Sequence, residues 1–268
     1  MHKHNFLLSL ITVMTILASA EAKGERVQGN EGEMPRLVVN ILIDQLRSDY
    51  LETFSPLYVE DGFQQLLRDG CYYRQAVYSV VPRDRAVGTA TLATGTTPSN
   101  HGIVGERFLH RETLRPTVAV EDATVQGRGT TDRFSPASLL VTTLADELKL
   151  ATGGHAYVVS IAPQATMAIL SGGHAADQAV WIDDRNGQWV TSSYYGELPL
   201  WADLRNTRQS IDRRLAAGTW QPLQRNKPTV LLNGTTVKPF SHRMAGSGRF
   251  GAFKTSAMVN DEMAAAVA

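Results

Sequence analysis

Acidic and hydroxyl side chains follow apolar runs at two places in the first half of the sequence. Asp44 ends the run 37–43, and a carboxylate at the carboxyl end of a strand either binds a ligand such as a metal ion or caps the next turn. The stretch 82–103 combines a break at Pro82 with a threonine-rich run of small residues. A helix that begins there would present backbone N–H groups to an anion. These residue types therefore indicate metal and anion chemistry, and both roles stay open for Asp44.

Several stretches together resemble a known family, the alkaline phosphatase superfamily. The closest branch is the type I phosphodiesterase/nucleotide pyrophosphatase group, and within it the bacterial phosphate-irrepressible alkaline phosphatases. The resemblance covers roughly residues 35 to 268. Its motifs are the segments 37–50, 82–103, 172–174, 181–184 and 191–195, together with Gly187.

The resemblance implies hydrolysis at phosphorus with two zinc ions as cofactors, which polarise the phosphoryl oxygens and activate the attacking group. In the family a Thr or Ser side chain is phosphorylated and water then releases phosphate. The implied partner is a small phosphorylated substrate or an anion. Asp44 matches a metal-ligand aspartate of the family. The other metal ligands of the family come from its later half, and their motifs do not occur before Ala268.

Four pocket positions implied by the resemblance carry unexpected residues. The nucleophile position falls on Arg85, and arginine stays protonated and cannot accept a phosphoryl group. The position of the pocket asparagine falls on Glu106, which reverses the electrostatics for an anionic substrate. The positions of the lysine and arginine that hold phosphate oxygens fall on Gln164 and Thr166. The catalytic residue is therefore unknown.

Neighbouring side chains offer alternatives to the missing nucleophile. Asp84 is the nearest, because a carboxylate can form an acyl phosphate; the other hydroxyls are Ser79, Thr89 and Thr91. Arg85 itself has two interpretations. It either binds an anion at the former phosphate site or forms a salt bridge, for example with Asp84 or Glu106. We expect His101 and His174, both beside glycine, to be structural.

The elements that must position these residues predict an α/β fold. Apolar, β-branched runs predict a buried parallel strand at 37–43 and further strands at 72–80 and 156–161. Helices are expected at 62–68 and 85–94, at 135–152 after the start signal Ser135-Pro136, at 200–215 and at 257–268. An Asn-Gly turn between 179–182 and 188–191 predicts a hairpin, and 220–239 reads as an irregular excursion. With the resemblance, this gives an alkaline-phosphatase-like open mixed or parallel sheet flanked by helices.

Composition excludes several classes of protein. The chain has 268 residues with 26 Lys+Arg and 26 Asp+Glu, and a zero net charge argues against a basic nucleic-acid-binding surface. Its single cysteine, Cys71, excludes an intrachain disulfide and a thiolate zinc cluster; we expect it to be buried at a strand start. The oligomeric state stays open.

The amino terminus has the pattern of a targeting signal. Lys3 precedes the apolar run 6–17, and small residues follow it as a cleavage site. The run is too short to span a bilayer comfortably. We expect a signal peptide at 1–22, a flexible leader at 23–34, and export to the periplasm or the extracellular space without a transmembrane segment.

The remaining residues, 35–268, are expected to form the N-terminal part of an alkaline-phosphatase-like domain, incomplete at its carboxyl end. An insertion or cap that contains the hairpin is expected at about 175–250. The resulting hypothesis is an exported, metal-dependent phosphoester hydrolase with Arg85 at the nucleophile position. The alternatives are a catalytically silent relative that binds an anion or serves as a scaffold, and a truncated fragment.

Overall fold

The computed structural model describes residues 35–78, 80–81, 84–222, 229–230, 236–237 and 240–267. The expected signal peptide 1–22 and leader 23–34 lie outside the described residues, as does most of the excursion at 220–239. The chain divides after Ile43. Within the described ranges, no helix has the length and apolarity needed to cross a membrane.

The segment 35–43 does not form the buried strand that its sequence predicts. It has no regular secondary structure, and Leu37, Val39 and Ile41 are 79%, 67% and 72% exposed. A central strand of a sheet needs a hydrogen-bonded neighbour on both sides. No strand in the described part of the chain pairs with this segment, so its apolar side chains remain at the surface.

Short helices dominate the next segment, residues 44–78. They are α1 (Tyr50–Thr53), a 3₁₀ turn (Ser55–Leu57) and α2 (Phe63–Asp69). Helix α2 lies between Gly62 and Gly70, which confirms the prediction for 62–68. The prediction of a strand at 72–80 is wrong, because residues 71–78 form an exposed coil. Cys71 is exposed there rather than buried, since no neighbouring strand covers it.

Helix α3 (Arg85–Thr94) has the predicted bounds and is followed by α4 (Pro98–His101). The Asp84 side chain caps its amino end, and Gly95 ends it with φ +67°, a left-handed conformation that glycine adopts at no steric cost. The small side chains of α3 are mostly buried. They allow α3 to pack closely against α6 (Ala165–Gly172).

The largest sheet has four strands in the order β3-β6-β5-β4. Its strands are β3 (Gly127–Arg128), β4 (Val159–Ile161), β5 (Gln178–Ile182) and β6 (Trp189–Ser192). Strands β4 and β5 are parallel, with α6 between them in the chain, and β6 pairs antiparallel with both β5 and β3. Two further antiparallel pairs are β1 (Arg107–His110) with β2 (Arg115–Val118) and β7 (Thr229–Val230) with β8 (Thr236–Val237).

The remaining helices are α5 (Leu144–Ala151), α7 (Leu200–Arg208), α8 (Ile211–Ala217), α9 (Arg249–Lys254) and α10 (Met258–Val267). The helix expected from Ser135 begins only at Leu144, because Thr143 and Asp146 form a reciprocal capping box there. Ser135 instead donates to Asp122 Oδ2. The helix expected over 200–215 is divided by the cap at Ser210.

The main core lies between the β5–β6 hairpin and the helices that follow it. Its largest buried side chains include Trp189, Phe250 and Phe253. The predicted Asn-Gly turn closes the hairpin, with Gly187 at φ +66°. A Cβ atom at Gly187 would lie 2.3 Å from the Phe250 ring, so both the turn and the packing require glycine.

Candidate functional site

Asp84 and Arg85 form the amino end of α3. Asp84 has extended backbone angles, and its Oδ1 accepts the N–H of Val87 at 3.1 Å while Oδ2 accepts the N–H of Glu106 at 2.7 Å. Both carboxylate oxygens therefore bind backbone donors. One of these bonds caps the helix, and the other fixes the chain that leads into β1.

Arg85 pairs with a carboxylate 41 residues away in the chain. Its Nε donates to Asp44 Oδ2 at 2.7 Å, and the two side chains are 25% and 34% exposed. The partner is neither Asp84 nor Glu106, the two acids that the sequence suggested. The residue after Asp44, Gln45, has φ +61°. A non-glycine residue in that conformation is uncommon and needs support from its surroundings.

Glu106, whose N–H binds Asp84, also contacts Thr166. Thr166 is buried in the first turn of α6 and lies with its Oγ1 3.3 Å from Glu106 Oε1. Gln164 is half-buried immediately before α6, and its side chain makes no capping hydrogen bond. The structure thus links Asp44, Arg85, Asp84, Glu106 and Thr166 through successive contacts.

The alternative hydroxyl groups face other surroundings. Thr89 is buried on α3, and Ser79 lies outside the described residues. Thr91 Oγ1 is 3.2 Å from Nε2 of His101, whose Nδ1 accepts the N–H of Ile103 at 3.1 Å. Burial lowers the pKa of His101, so its ring is a neutral bridge between α3 and α4. The carbonyl group of His174 accepts the hydroxyl of Tyr194.

The described residues do not fit a two-zinc site. Within them, no group of three or more His, Cys, Asp or Glu side chains is arranged to hold a metal ion. Asp44, the ligand that the resemblance assigns, has its Oδ2 engaged by a guanidinium nitrogen. A catalytic zinc ion needs three protein ligands in addition to its open position.

The charges at this site also differ from those of an anion pocket. The Arg85 guanidinium is already paired with the Asp44 carboxylate, and Glu106 adds a further acid at a pocket position, next to Thr166. The Asp84 carboxylate already covers the amino end of α3, where the helix dipole would otherwise attract an anion. The arrangement therefore favours internal ion pairing over the capture of a phosphate dianion.

Comparison with known proteins identifies the family. Residues 38–247 match the family of type I phosphodiesterase / nucleotide pyrophosphatase. This chain belongs to that family. It is 36% identical over 224 residues to a protein of Myroides odoratus described as a calcium-transporting ATPase, covering 82% of this chain and 40% of the relative. It is 32% identical over 248 residues to alkaline phosphatase PhoV of Synechococcus elongatus, covering 90% and 45%.

A solved structure gives the fold of this family. Wild-type alkaline phosphatase PafA superimposes with a TM-score of 0.68 at 29% identity, over 84% of this chain and 47% of PafA. The expected alkaline-phosphatase-like α/β fold, with helices and an open mixed sheet, is confirmed. The chain spans less than half the length of these relatives.

Two contacts of these residues were not predicted from the sequence. The capping role of Asp84 was missed, although an aspartate directly before a helix start is the usual signal for it. The partner of Arg85 was also missed, because no local spacing connects residues 44 and 85.

Proposed function

We propose that this chain belongs to an exported member of the alkaline phosphatase superfamily that retains the phosphoesterase fold but is catalytically silent. One observation carries the proposal: the first residue of α3, where the family resemblance counts the nucleophile, is Arg85. A guanidinium group has donors only and no lone pair for attack on phosphorus. The covalent step of the family then has no acceptor at this position.

The surrounding side chains support the same conclusion. An attack by Asp84 would use an oxygen that already accepts a backbone N–H, either Oδ1, which caps α3, or Oδ2, which binds Glu106. Glu106 adds a carboxylate at the pocket position and repels an anionic substrate. A scaffolding role is therefore better supported than anion binding at Arg85.

A second candidate is an active, metal-dependent hydrolase of small phosphorylated substrates with Asp84 as its nucleophile. Asp44 favours it, because this residue matches a metal ligand in the resemblance. The described donor set does not fit the metal site, so we derive no step through zinc. Export rests on the signal pattern at 1–22 in both candidates, and amino-terminal sequencing of the mature protein tests it.

The test is turnover of p-nitrophenyl phosphate and bis(p-nitrophenyl) phosphate by the full native protein, with and without added zinc. We expect no release above that of the buffer. The Arg68→Thr variant is the matched control for Arg85→Thr, since Arg68 is exposed and pairs with the adjacent Asp69. We expect Arg85→Thr alone to remain inactive, because Glu106 persists.

Wild-type turnover would overturn the silent assignment. Its loss in an Asp84→Asn variant would then establish the second candidate, because the amide cannot form an acyl phosphate. Turnover that survives this substitution would exclude both proposals for the nucleophile position.

A further inference from the structure

The ion pair between Asp44 and Arg85 joins two parts of the chain that otherwise share few contacts. In the described residues, it is the hydrogen bond that connects the segment 44–78 with the chain from Asp84 onward. The other side-chain bonds of this segment are local, such as Arg47 to Asp49 and Tyr58 to the carbonyl of Tyr50. The ion pair therefore helps to fix the position of the whole segment 44–78 relative to α3.

Packing does little to hold this segment in place. No residue from 44 to 78 is buried, and its aromatic contacts, Tyr50 with Phe54 and Tyr58 with Phe63, are internal. Local stability in a protein follows from buried apolar contacts and protected hydrogen bonds. A single charge-assisted bond can thus dominate the anchoring of this segment to α3.

We propose that Arg85 replaces a metal ion as the counter-charge of Asp44, and that it thereby anchors the Asp44 turn to α3. A guanidinium group carries a permanent positive charge and directional donors. It neutralises one carboxylate without the several ligands that a metal ion requires.

Arg85, which stands at the nucleophile position in the proposed function, thereby has a structural role. This role rests on that proposal only for the match of Asp44 to a metal-ligand position. Metal and guanidinium compete for the same carboxylate, because Oδ2 of Asp44 accepts from Nε of Arg85. Zinc bound at Asp44 would have to displace Arg85.

Hydrogen exchange of the full native protein tests the anchor without any measurement of turnover. The readout is the peptide 44–58, which contains α1 and its hydrogen-bonded amides. We expect Arg85→Gln to raise its exchange rate about two- to fivefold, the range for a partly exposed ion pair. Peptides from β5 and β6 should not change. Arg68→Gln is the matched control, since it removes an exposed pair within the same segment.

Three further measurements separate an anchor from a general loss of stability. The double variant Asp44→Asn/Arg85→Gln should exchange as fast as Arg85→Gln alone, since the pair is already broken. Arg85→Lys keeps the charge without the guanidinium geometry and should fall between wild type and Arg85→Gln. Neither zinc nor a chelator should change the wild-type exchange of this peptide.

Unchanged exchange in Arg85→Gln, additive effects in the double variant, or protection of wild type by zinc would each overturn the anchor. Turnover by wild type would overturn the proposed function and leave these exchange results unaffected. The two proposals can therefore fail separately.

Discussion

The segment 44–78 and the core region 178–267 differ in the solvent exposure of similar apolar side chains. In the core region, Trp189 and Phe253 are each 1% exposed. In the segment, Leu57, Leu66 and Tyr73 are 66%, 62% and 77% exposed. Both regions have apolar residues at helix and strand spacings. The difference shows that an apolar pattern can form a helix such as α2 without burying it, because burial depends on a second surface to pack against.

Charged groups follow the same division. Glu262 is fully buried in the core region and accepts from Trp189, Arg205 and Arg214. This single carboxylate connects α10 with β6, α7 and α8. The ion pairs formed within the segment, by contrast, join neighbours such as Arg68 and Asp69 in solvent. Long-range buried pairs specify tertiary structure, and short exposed pairs contribute little to it.

The largest effect should come from removal of the buried carboxylate. We expect Glu262→Ala to lower the free energy of unfolding by about 3–5 kcal/mol, because it leaves two guanidinium groups and an indole N–H without their acceptor. Urea unfolding followed by tryptophan fluorescence measures this change. Asp212→Asn, which breaks the exposed pair with Arg249, is the control and should cost less than about 1 kcal/mol. Equal costs would remove the distinction between the two kinds of ion pair.

A matched leucine pair tests the apolar side of the comparison. Leu170 in α6 is fully buried and Leu66 in α2 is mostly exposed. Leu170→Ala should cost about 3 kcal/mol, from lost transfer energy and a cavity. Leu66→Ala should stay within about 0.5 kcal/mol of wild type. A large cost at Leu66 would mean that the segment has a packing partner in solution.

The smallest expected effect is a change in the acid dependence of stability, caused by Asp122 in the loop between β2 and β3. Hydrogen bonds from Ser135 and then Thr124 hold the pKa of Asp122 below its ordinary value. A lowered pKa contributes stability above the unfolded value of about 3.9, and that stability is lost as the pH falls through the folded value. Ser135→Ala should therefore cost about 1 kcal/mol at neutral pH.

The pH dependence checks the cause of that change. The difference between Ser135→Ala and wild type should shrink as the pH falls below the unfolded value of about 3.9 and then through the lowered pKa of Asp122 in the folded protein. Denaturant unfolding across this range measures it. A difference that is constant with pH would assign the effect to the buried hydroxyl alone.

Local signals in the sequence were sufficient where the element is defined by its own residues. Helix α3 has the predicted bounds because Asp84 and Gly95 cap it, and the β5–β6 hairpin follows from its Asn-Gly turn. The strands expected at 37–43 and 72–80 failed for the opposite reason. A strand needs hydrogen bonds to neighbouring strands. The sequences of 37–43 and 72–80 do not indicate whether such neighbours are in place.

The candidate site shows the same limit. The resemblance placed Asp44, Arg85, Glu106 and Thr166 at pocket positions, and the structure links these four residues through direct contacts and Asp84. The resemblance could not predict that Arg85 pairs with Asp44. That contact depends on the tertiary course of the chain between residues 44 and 85, which no spacing rule encodes.

The buried ring of His101 has a consequence for how the site responds to its environment. Its Nδ1 accepts a backbone N–H, so the proton of the neutral ring resides on Nε2 and points to Thr91. Since burial lowers its pKa, the ring stays uncharged at acidities where an ordinary histidine, near pH 6.5, takes up a proton. The ring therefore joins α3 to α4 as an uncharged group. The contact between His101 and Thr91 should therefore be less sensitive to mild acid than a contact made by an ordinary histidine.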